Sequence, residues 1–348
     1  MPPHRARRDR RARRGARSSA RRPLLYVALA CLAVVGATAG GTAYVKARAH
    51  GGGTAVSSSA SSSVSASPGA DGGAEEASVE SVTAPAVDHD ELLAAAMAEV
   101  TVEDGAAVSV AVLDVESGDS AGYGDGQFDT ASIVKADILA ALLLQAQDEG
   151  RQLTAQEKAY ASTMIRDSDN DSATALWKSI GQAAGLDAAN ERLGLTGTEG
   201  GDGLYWGLTQ TTAADQLTLL QQVFGDDEGS ELSAASRAYL QELMGRIAEG
   251  QDWGVSAAAS GGSSGSGFAL KNGWLPRTAT GLWDINSIGR VTVDGHDYLV
   301  AVVSNGNTTK AKGVSLVEAA ARAAVSAFGE RDAEDSAVAS RVTVPTTS

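Results

Sequence analysis

Cysteine and histidine are scarce in this chain of 348 residues, which contains one cysteine and four histidines. Cys31 lies in an uncharged stretch near the amino terminus, so no intrachain disulfide can form. The cysteine and the histidines are not spaced as zinc ligands are, and the sequence implies no metal and no cofactor. His4 and His50 precede the main domain, His89 begins it, and His296 lies in a predicted hairpin turn. A Ser-His-Asp triad therefore cannot readily be built.

Acidic residues are nearly absent from the first 50 positions, which hold 12 of the 28 basic side chains but only Asp9 of the 43 acids. Arginines crowd positions 5–22, and an uncharged apolar stretch follows. This pattern predicts a basic cytoplasmic segment at residues 1–22 and a transmembrane signal anchor at residues 23–45, with the rest of the chain outside the cell. Ala37-Thr38-Ala39 resembles a signal-peptidase site, so secretion after cleavage is the alternative.

Large apolar residues are scarce at residues 46–87, where serine, glycine and alanine dominate, and at residues 329–348. Such segments bury too little apolar surface to offset the entropy of ordering, so we predict a disordered linker and a disordered tail. Residues 88–328 suit one domain with one core. From position 51 onward acids outnumber basic residues by more than two to one, which excludes nucleic acid as a partner.

Three short motifs occur in order along the predicted domain. Ser132 and Lys135 are three residues apart at a predicted helix start, so the ammonium can reach the hydroxyl on the same helix face. Taken alone, this pair is better explained by a serine in the helix-capping region followed by a solvated lysine. Ser168-Asp169-Asn170 follows between two predicted helices, and Lys271-Asn272-Gly273 ends a short apolar strand. The three motifs together are far more specific than any one of them.

Ser-x-x-Lys, Ser-Asp-Asn and Lys-x-Gly in this order make residues 88–328 resemble the class A β-lactamase and penicillin-binding-protein superfamily, in particular its β-lactamase-related serine hydrolases. Two early strands, a block of helices and three late strands predict an α+β fold, a five-stranded antiparallel sheet beside a helical lobe, which that family has. The resemblance implies a serine hydrolase that acts on β-lactams or D-alanyl cell-wall peptides. We expect a monomer that contacts the membrane through its amino-terminal helix.

The resemblance also implies a role for each motif residue. Ser132 would be the nucleophile and Lys135 its base, provided that the pKa of Lys135 is lowered by burial and by neighbouring cations. Ser168 would relay a proton to the leaving group with the help of Lys271. The backbone N–H groups of Ser132 and Trp274 would form an oxyanion hole. The implied substrate-binding residues are Asn170, Asn272, Gly273 and Trp274.

The strand motif and one connection depart from the family pattern. Asn272 replaces the usual serine or threonine, and Trp274-Leu275-Pro276 replaces small polar residues, so we expect a substrate carboxylate to be held differently. The connection from Ser132 to Ser168 is short, so the loop that walls one side of the cleft in class A enzymes is expected to be missing.

The third departure concerns release of the acyl group. No clear glutamate precedes Thr211-Thr212 to activate a deacylating water, and Glu199 is a weak candidate that a glycine-flanked surface turn explains better. The sequence therefore predicts poor deacylation. The Gly-x-Ser-x-Gly match at residues 261–265 opens no helix and is interpreted as a loop. A non-catalytic wall-binding or signalling domain on the same fold is the alternative function.

Overall fold

The computed structural model describes residues 87–260 and 267–329, which belong to one compact unit. The predicted basic segment at 1–22, the anchor at 23–45, and almost all of the linker at 46–87 and of the tail at 329–348 lie outside these residues. So does the predicted loop at 261–265. Within the described ranges, no helix combines the length and the apolar character that crossing a membrane requires.

Seven strands occur in the described residues: β1 (Ala107–Asp114), β2 (Ser120–Tyr123), β3 (Phe128–Asp129), β4 (Gln210–Thr211), β5 (Phe268–Pro276), β6 (Trp283–Val293) and β7 (His296–Asn307). Five of them form an antiparallel sheet in the order β2-β1-β7-β6-β5, and β3 pairs separately with β4. Residues 299–303 of β7 are all buried, because helices cover both faces of the sheet. β5 is an edge strand, so the backbone N–H and C=O groups on one of its sides are not paired within the sheet.

Eight helices accompany the strands: α1 (His89–Ala98), α2 (Val134–Asp148), α3 (Ala155–Arg166), α4 (Asn170–Ile180), α5 (Gln182–Leu193), α6 (Ala213–Phe224), α7 (Ala234–Met244) and α8 (Lys310–Ser326). One core cluster packs α1 and α8 on one face of the sheet, and a second packs the other helices on the opposite face. Nearly every side chain of α2 is buried, so this helix forms the centre of the helical lobe.

The predicted α+β class, with its five-stranded antiparallel sheet and helical lobe, is confirmed. Ser132 lies slightly outside α2, in a 3-10 turn over Ala131–Ile133 that leads directly into the helix. The pairing of β3 with β4 is a further difference, since strands of two residues are too short to give a sequence pattern. This pairing ties the segment before α6 to the chain that enters the Ser132 turn.

Candidate active site

The 3-10 turn Ala131–Ile133 carries Ser132 where the edge strand of the sheet meets the helical lobe. Asn286 of β6 holds the entry to this turn by donating to the carbonyl of Thr130 at 3.0 Å. Ala131 has a φ of 49°, in the left-handed region, which costs a non-glycine residue about 1–2 kcal/mol. Ser132 is partly exposed, and its hydroxyl has no hydrogen-bond partner among the described residues. The surrounding contacts therefore hold the turn in a strained conformation that leaves this hydroxyl accessible.

Lys135, in the first turn of α2, is fully buried and donates three hydrogen bonds through Nζ. The acceptors are the backbone oxygen of Ser168 at 2.6 Å, the Ser168 hydroxyl at 3.1 Å and Oδ1 of Asn170 at 2.8 Å. Burial lowers the pKa of Lys135 to about 7, against a smaller opposing effect of the Asp169 carboxylate. A general base needs such a neutral fraction near neutral pH. Lys135 makes no hydrogen bond to the Ser132 hydroxyl, although their spacing places the ammonium within reach of it.

Ser168 joins two buried lysines. Its hydroxyl lies 3.1 Å from Nζ of Lys135 and 3.1 Å from Nζ of Lys271. The φ of Ser168 is 57°, which makes it a second strained residue at the site. Asp169 accepts from the backbone N–H of Ser172 at 2.7 Å and so caps α4, which fixes this loop. Because a hydroxyl both donates and accepts, Ser168 can pass a proton between the two amines.

Lys271 of β5 completes the cluster from the sheet side. It is 1% exposed and also donates to the carbonyl of Asn272 at 2.8 Å. Burial, and next the charge of Lys135, hold the pKa of Lys271 well below its usual range. Two ammonium groups around one hydroxyl repel each other, so the pair favours a state in which one lysine is neutral.

The backbone of β5 runs directly against the Ser132 turn. A Cβ at Gly273 would lie 2.7 Å from the carbonyl oxygen of Thr130 and 2.9 Å from the nitrogen of Ser132, so this approach requires glycine. Trp274 follows on the strand, is partly exposed and carries Nζ of Lys310 at 4.2 Å from its ring centroid. The Trp274 side chain points to the face of the sheet that α1 and α8 cover, opposite to Lys271, so this cation–ring contact lies on the other side of β5 from the lysine cluster.

Asn272 faces away from Lys271, because successive residues of a strand point to opposite sides of the sheet. Its Nδ2 donates to the carbonyls of Gln251 and Trp253, each at 2.8 Å. Its Oδ1 is buried and has no hydrogen-bond partner within the described residues. The structure brings Lys135, Ser168, Asn170 and Lys271 together but does not add the Asn272 side chain to them. The substrate-binding role of Asn272 stays a prediction.

Glu199 lies on the surface, as the glycine-flanked turn suggested. Its side chain is exposed, and its backbone pairs with Gln210. In the part of the chain that the structure describes, the acceptors of the Lys135 ammonium are Ser168 and Asn170, and none is a carboxylate. Among the described residues, no carboxylate therefore accepts a hydrogen bond from the proposed base Lys135.

Trp206 is a site residue that the three motifs did not predict. Its ring centroid lies 4.9 Å from Nζ of Lys135, and its indole N–H donates to Oγ1 of Thr174 at 3.1 Å. The available signal was a tryptophan shortly before Thr211-Thr212 in a chain with 5% aromatic residues. Nothing in that signal indicates which side chain the ring contacts.

A family model described as the beta-lactamase enzyme family matches residues 149–328, just over half of the chain. The matched range contains Ser168 and Lys271 but begins after Lys135. No curated protein matches the sequence significantly.

Solved structures with the same fold include PBP-A and β-lactamases. PBP-A is 23% identical with a TM-score of 0.58, and the match covers 69% of this chain and 96% of that one. A PBP-A variant solved as an acyl-enzyme complex with penicillin G is 22% identical, with a TM-score of 0.58 and coverage of 69% and 97%. A β-lactamase from Xanthomonas campestris pv. campestris is 22% identical, with a TM-score of 0.55 and coverage of 70% and 100%.

Proposed function

Because this chain belongs to the beta-lactamase enzyme family, we propose that it is an acyl-serine enzyme whose Ser132 takes the acyl group of a β-lactam or of a D-alanyl cell-wall peptide. One observation carries the proposal: a serine hydroxyl is held between two buried lysines, one of which follows the partly exposed Ser132 by three residues. An accessible nucleophile, a buried base and a proton relay are the parts that acyl transfer requires.

Acylation begins when Oγ of Ser132 attacks the substrate carbonyl carbon and neutral Lys135 takes the hydroxyl proton, directly or through Ser168. The backbone N–H groups of Ser132 and Trp274 stabilise the negative charge on the carbonyl oxygen. The carbon–nitrogen bond then breaks, Ser168 gives its proton to the leaving nitrogen, and Lys271 replaces that proton. The result is an ester on Ser132 and a free amine.

Hydrolysis of the ester is proposed to be slow. A class A β-lactamase uses a glutamate to hold and activate the deacylating water, whereas Lys135 here bonds no carboxylate and Glu199 is exposed. Poor release favours a penicillin-binding type of activity over a resistance enzyme. An acyl-enzyme complex with penicillin G has been solved for a PBP-A variant of the same fold, so this fold can carry the proposed intermediate.

The hydrolase domain is proposed to work outside the cell while attached to the membrane. The arginines at positions 5–22 and the uncharged apolar stretch after them support a retained anchor with a cytoplasmic amino terminus. The serine-rich stretch after the anchor would let the domain reach cell-wall peptides. Secretion after cleavage of the anchor is the alternative.

Intact-mass measurement of the full chain after exposure to penicillin G tests the acyl-serine proposal. We expect a single adduct equal to the mass of the intact drug, and peptide mapping should place it on Ser132. Absence of an adduct, or an adduct on another residue, would favour the non-catalytic wall-binding or signalling domain. Recovery of the full-length protein from membranes rather than from the medium supports the anchor.

A further inference from the structure

The short 3-10 turn Trp206–Leu208 packs directly on the Ser132 turn. A Cβ at Gly207 would lie 3.8 Å from Cα of Ala131, which is ordinary van der Waals contact. The same turn brings the ring of Trp206 to within 4.9 Å of Nζ of Lys135. One short segment thus covers both the residue before the nucleophile and the proposed base.

Hydrogen bonds hold this segment in place. Within it, Thr209 donates from its backbone N–H to the carbonyl of Trp206 at 3.2 Å. The backbone N–H of Thr130, just before the Ser132 turn, donates to the carbonyl of Thr209 at 2.9 Å. The Trp177 indole donates to the carbonyl of Gly203 at 2.7 Å. The backbone of this segment is therefore fixed at several points, and the bond from the Trp206 indole to Thr174 orients the ring.

The ammonium of Lys135 is enclosed by two kinds of contact. Its three protons point to acceptors on Ser168 and Asn170, and the ring of Trp206 covers another flank. An indole face gives a cation less stabilisation than water does, so this ring keeps the amine desolvated. It also occupies space beside Lys135 in which a water molecule would otherwise contact the proposed base.

We propose that Trp206 is a positioning residue that closes this flank of Lys135 against water and thereby preserves the ester on Ser132. The inference rests on the proposed acyl-serine function and extends it by naming the residue that prevents release. Hydrolysis would require a water oxygen to bond to the ester carbon while Lys135 takes one water proton. The bond to Oγ of Ser132 would then break, and Lys135 would return the proton to Oγ. By covering this flank of Lys135, Trp206 excludes the water molecule that this reaction requires.

Trp206→Ala tests the inference through the lifetime of the penicillin adduct on the full chain. We expect the adduct still to form on Ser132 but to be released about a hundred times faster or more, because a water molecule activated by a general base typically gains about 10²–10⁴-fold. The release rate should rise with pH as Lys135 loses its proton. Trp206→Phe keeps an aromatic ring over the amine and should release the adduct within about threefold of the unmodified protein.

Trp177→Phe is the control for simple loosening of the segment. It removes the indole hydrogen bond to Gly203 and leaves the Trp206 ring in place, so the adduct lifetime should stay the same. Equal acceleration in Trp177→Phe and Trp206→Ala would overturn the inference, and so would an unchanged lifetime in Trp206→Ala. Rapid release by the unmodified protein would overturn it while leaving acylation intact. Absence of any adduct would instead refute the proposed function itself.

Discussion

Lys135→Met is expected to slow acylation of Ser132 by about 10²–10⁴-fold, the usual contribution of a general base. Methionine has nearly the same length and fits a fully buried position, but it cannot accept the hydroxyl proton. The rate of adduct formation with penicillin G, followed by intact mass, measures the effect. Lys178→Met removes an exposed lysine from α4 and should leave this rate unchanged.

The pH dependence of acylation provides a second measurement on the same variants. Because the pKa of Lys135 is lowered to about 7, its neutral form is scarce at pH 5.5 and dominant at pH 8.5. Acylation of the unmodified protein should therefore rise through pH 7 and then level off, whereas the residual rate of Lys135→Met should lack this rise. A Lys135→Met variant that acylates within about threefold of the unmodified protein would exclude this lysine as the base.

The same desolvation makes Lys135 costly to the fold. The folded protein loses the Lys135 proton near pH 7, while the unfolded chain keeps it up to the ordinary value of 10.5. Between these values the unfolded state binds more protons, so this residue destabilises the fold most at low pH and less as the pH rises. A base that works near neutral pH is thus obtained at the expense of stability.

The sequence motifs identified the residues that meet at the site because a turn of helix, a cap and a strand are local features. The strand is longer than predicted, since β5 continues to Pro276 and Lys271-Asn272-Gly273 lies in its middle rather than at its end. Ser132 and Lys135 are separated by about one helical turn. Asp169 indicates the start of α4, because an aspartate side chain can accept a hydrogen bond from a backbone N–H at a helix N-terminus. The sheet and the lobe were likewise predictable, since their strands and helices have strong apolar patterns. What the motifs left undefined is the contact each side chain makes across the fold.

Trp206 and Asn272 show why the remaining features could not be predicted. The contact of Trp206 with Lys135 depends on how a loop between α5 and α6 folds back onto the Ser132 turn, and no local spacing determines that path. The orientation of Asn272 follows from strand alternation once Lys271 is known to face the lobe. Its hydrogen bonds to Gln251 and Trp253 depend on a segment that precedes β5 by many residues.

Asp137 lies two positions after Lys135 on α2 and is a buried acid that the proposed chemistry does not use. It is fully buried, and both carboxyl oxygens have no hydrogen-bond partner in the described residues. Burial raises its pKa to about 7, and the charges of Asp215 and Asp187 add to the rise. Those two carboxylates hold the neighbouring loop by accepting the backbone N–H groups of Gly197 and Gly200.

Asp137→Asn is expected to stabilise the protein, and more strongly at high pH. The folded state keeps the Asp137 proton up to about pH 7, while the unfolded chain loses it near 3.8, so stability falls as the pH rises between these values. A shift of this size corresponds to about 4 kcal/mol once the group is fully ionised. The variant should therefore gain roughly 2–3 kcal/mol more at pH 8 than at pH 5 relative to the unmodified protein.

Urea unfolding of both proteins at several pH values between 5 and 8.5 measures this difference. Comparing them at each pH cancels the opposite contribution of Lys135, which both proteins retain. Asp104→Asn, at an exposed turn, changes the net charge by the same amount and should show no pH-dependent gain. A stability difference that is the same at pH 5 and pH 8 would mean that folding does not raise the pKa of Asp137. Its carboxylate would then have to be hydrated or hydrogen-bonded in the folded protein. The pH-dependent gain would instead show that the helix carrying the proposed base also holds an unpaired acid, which stays protonated only because it is buried.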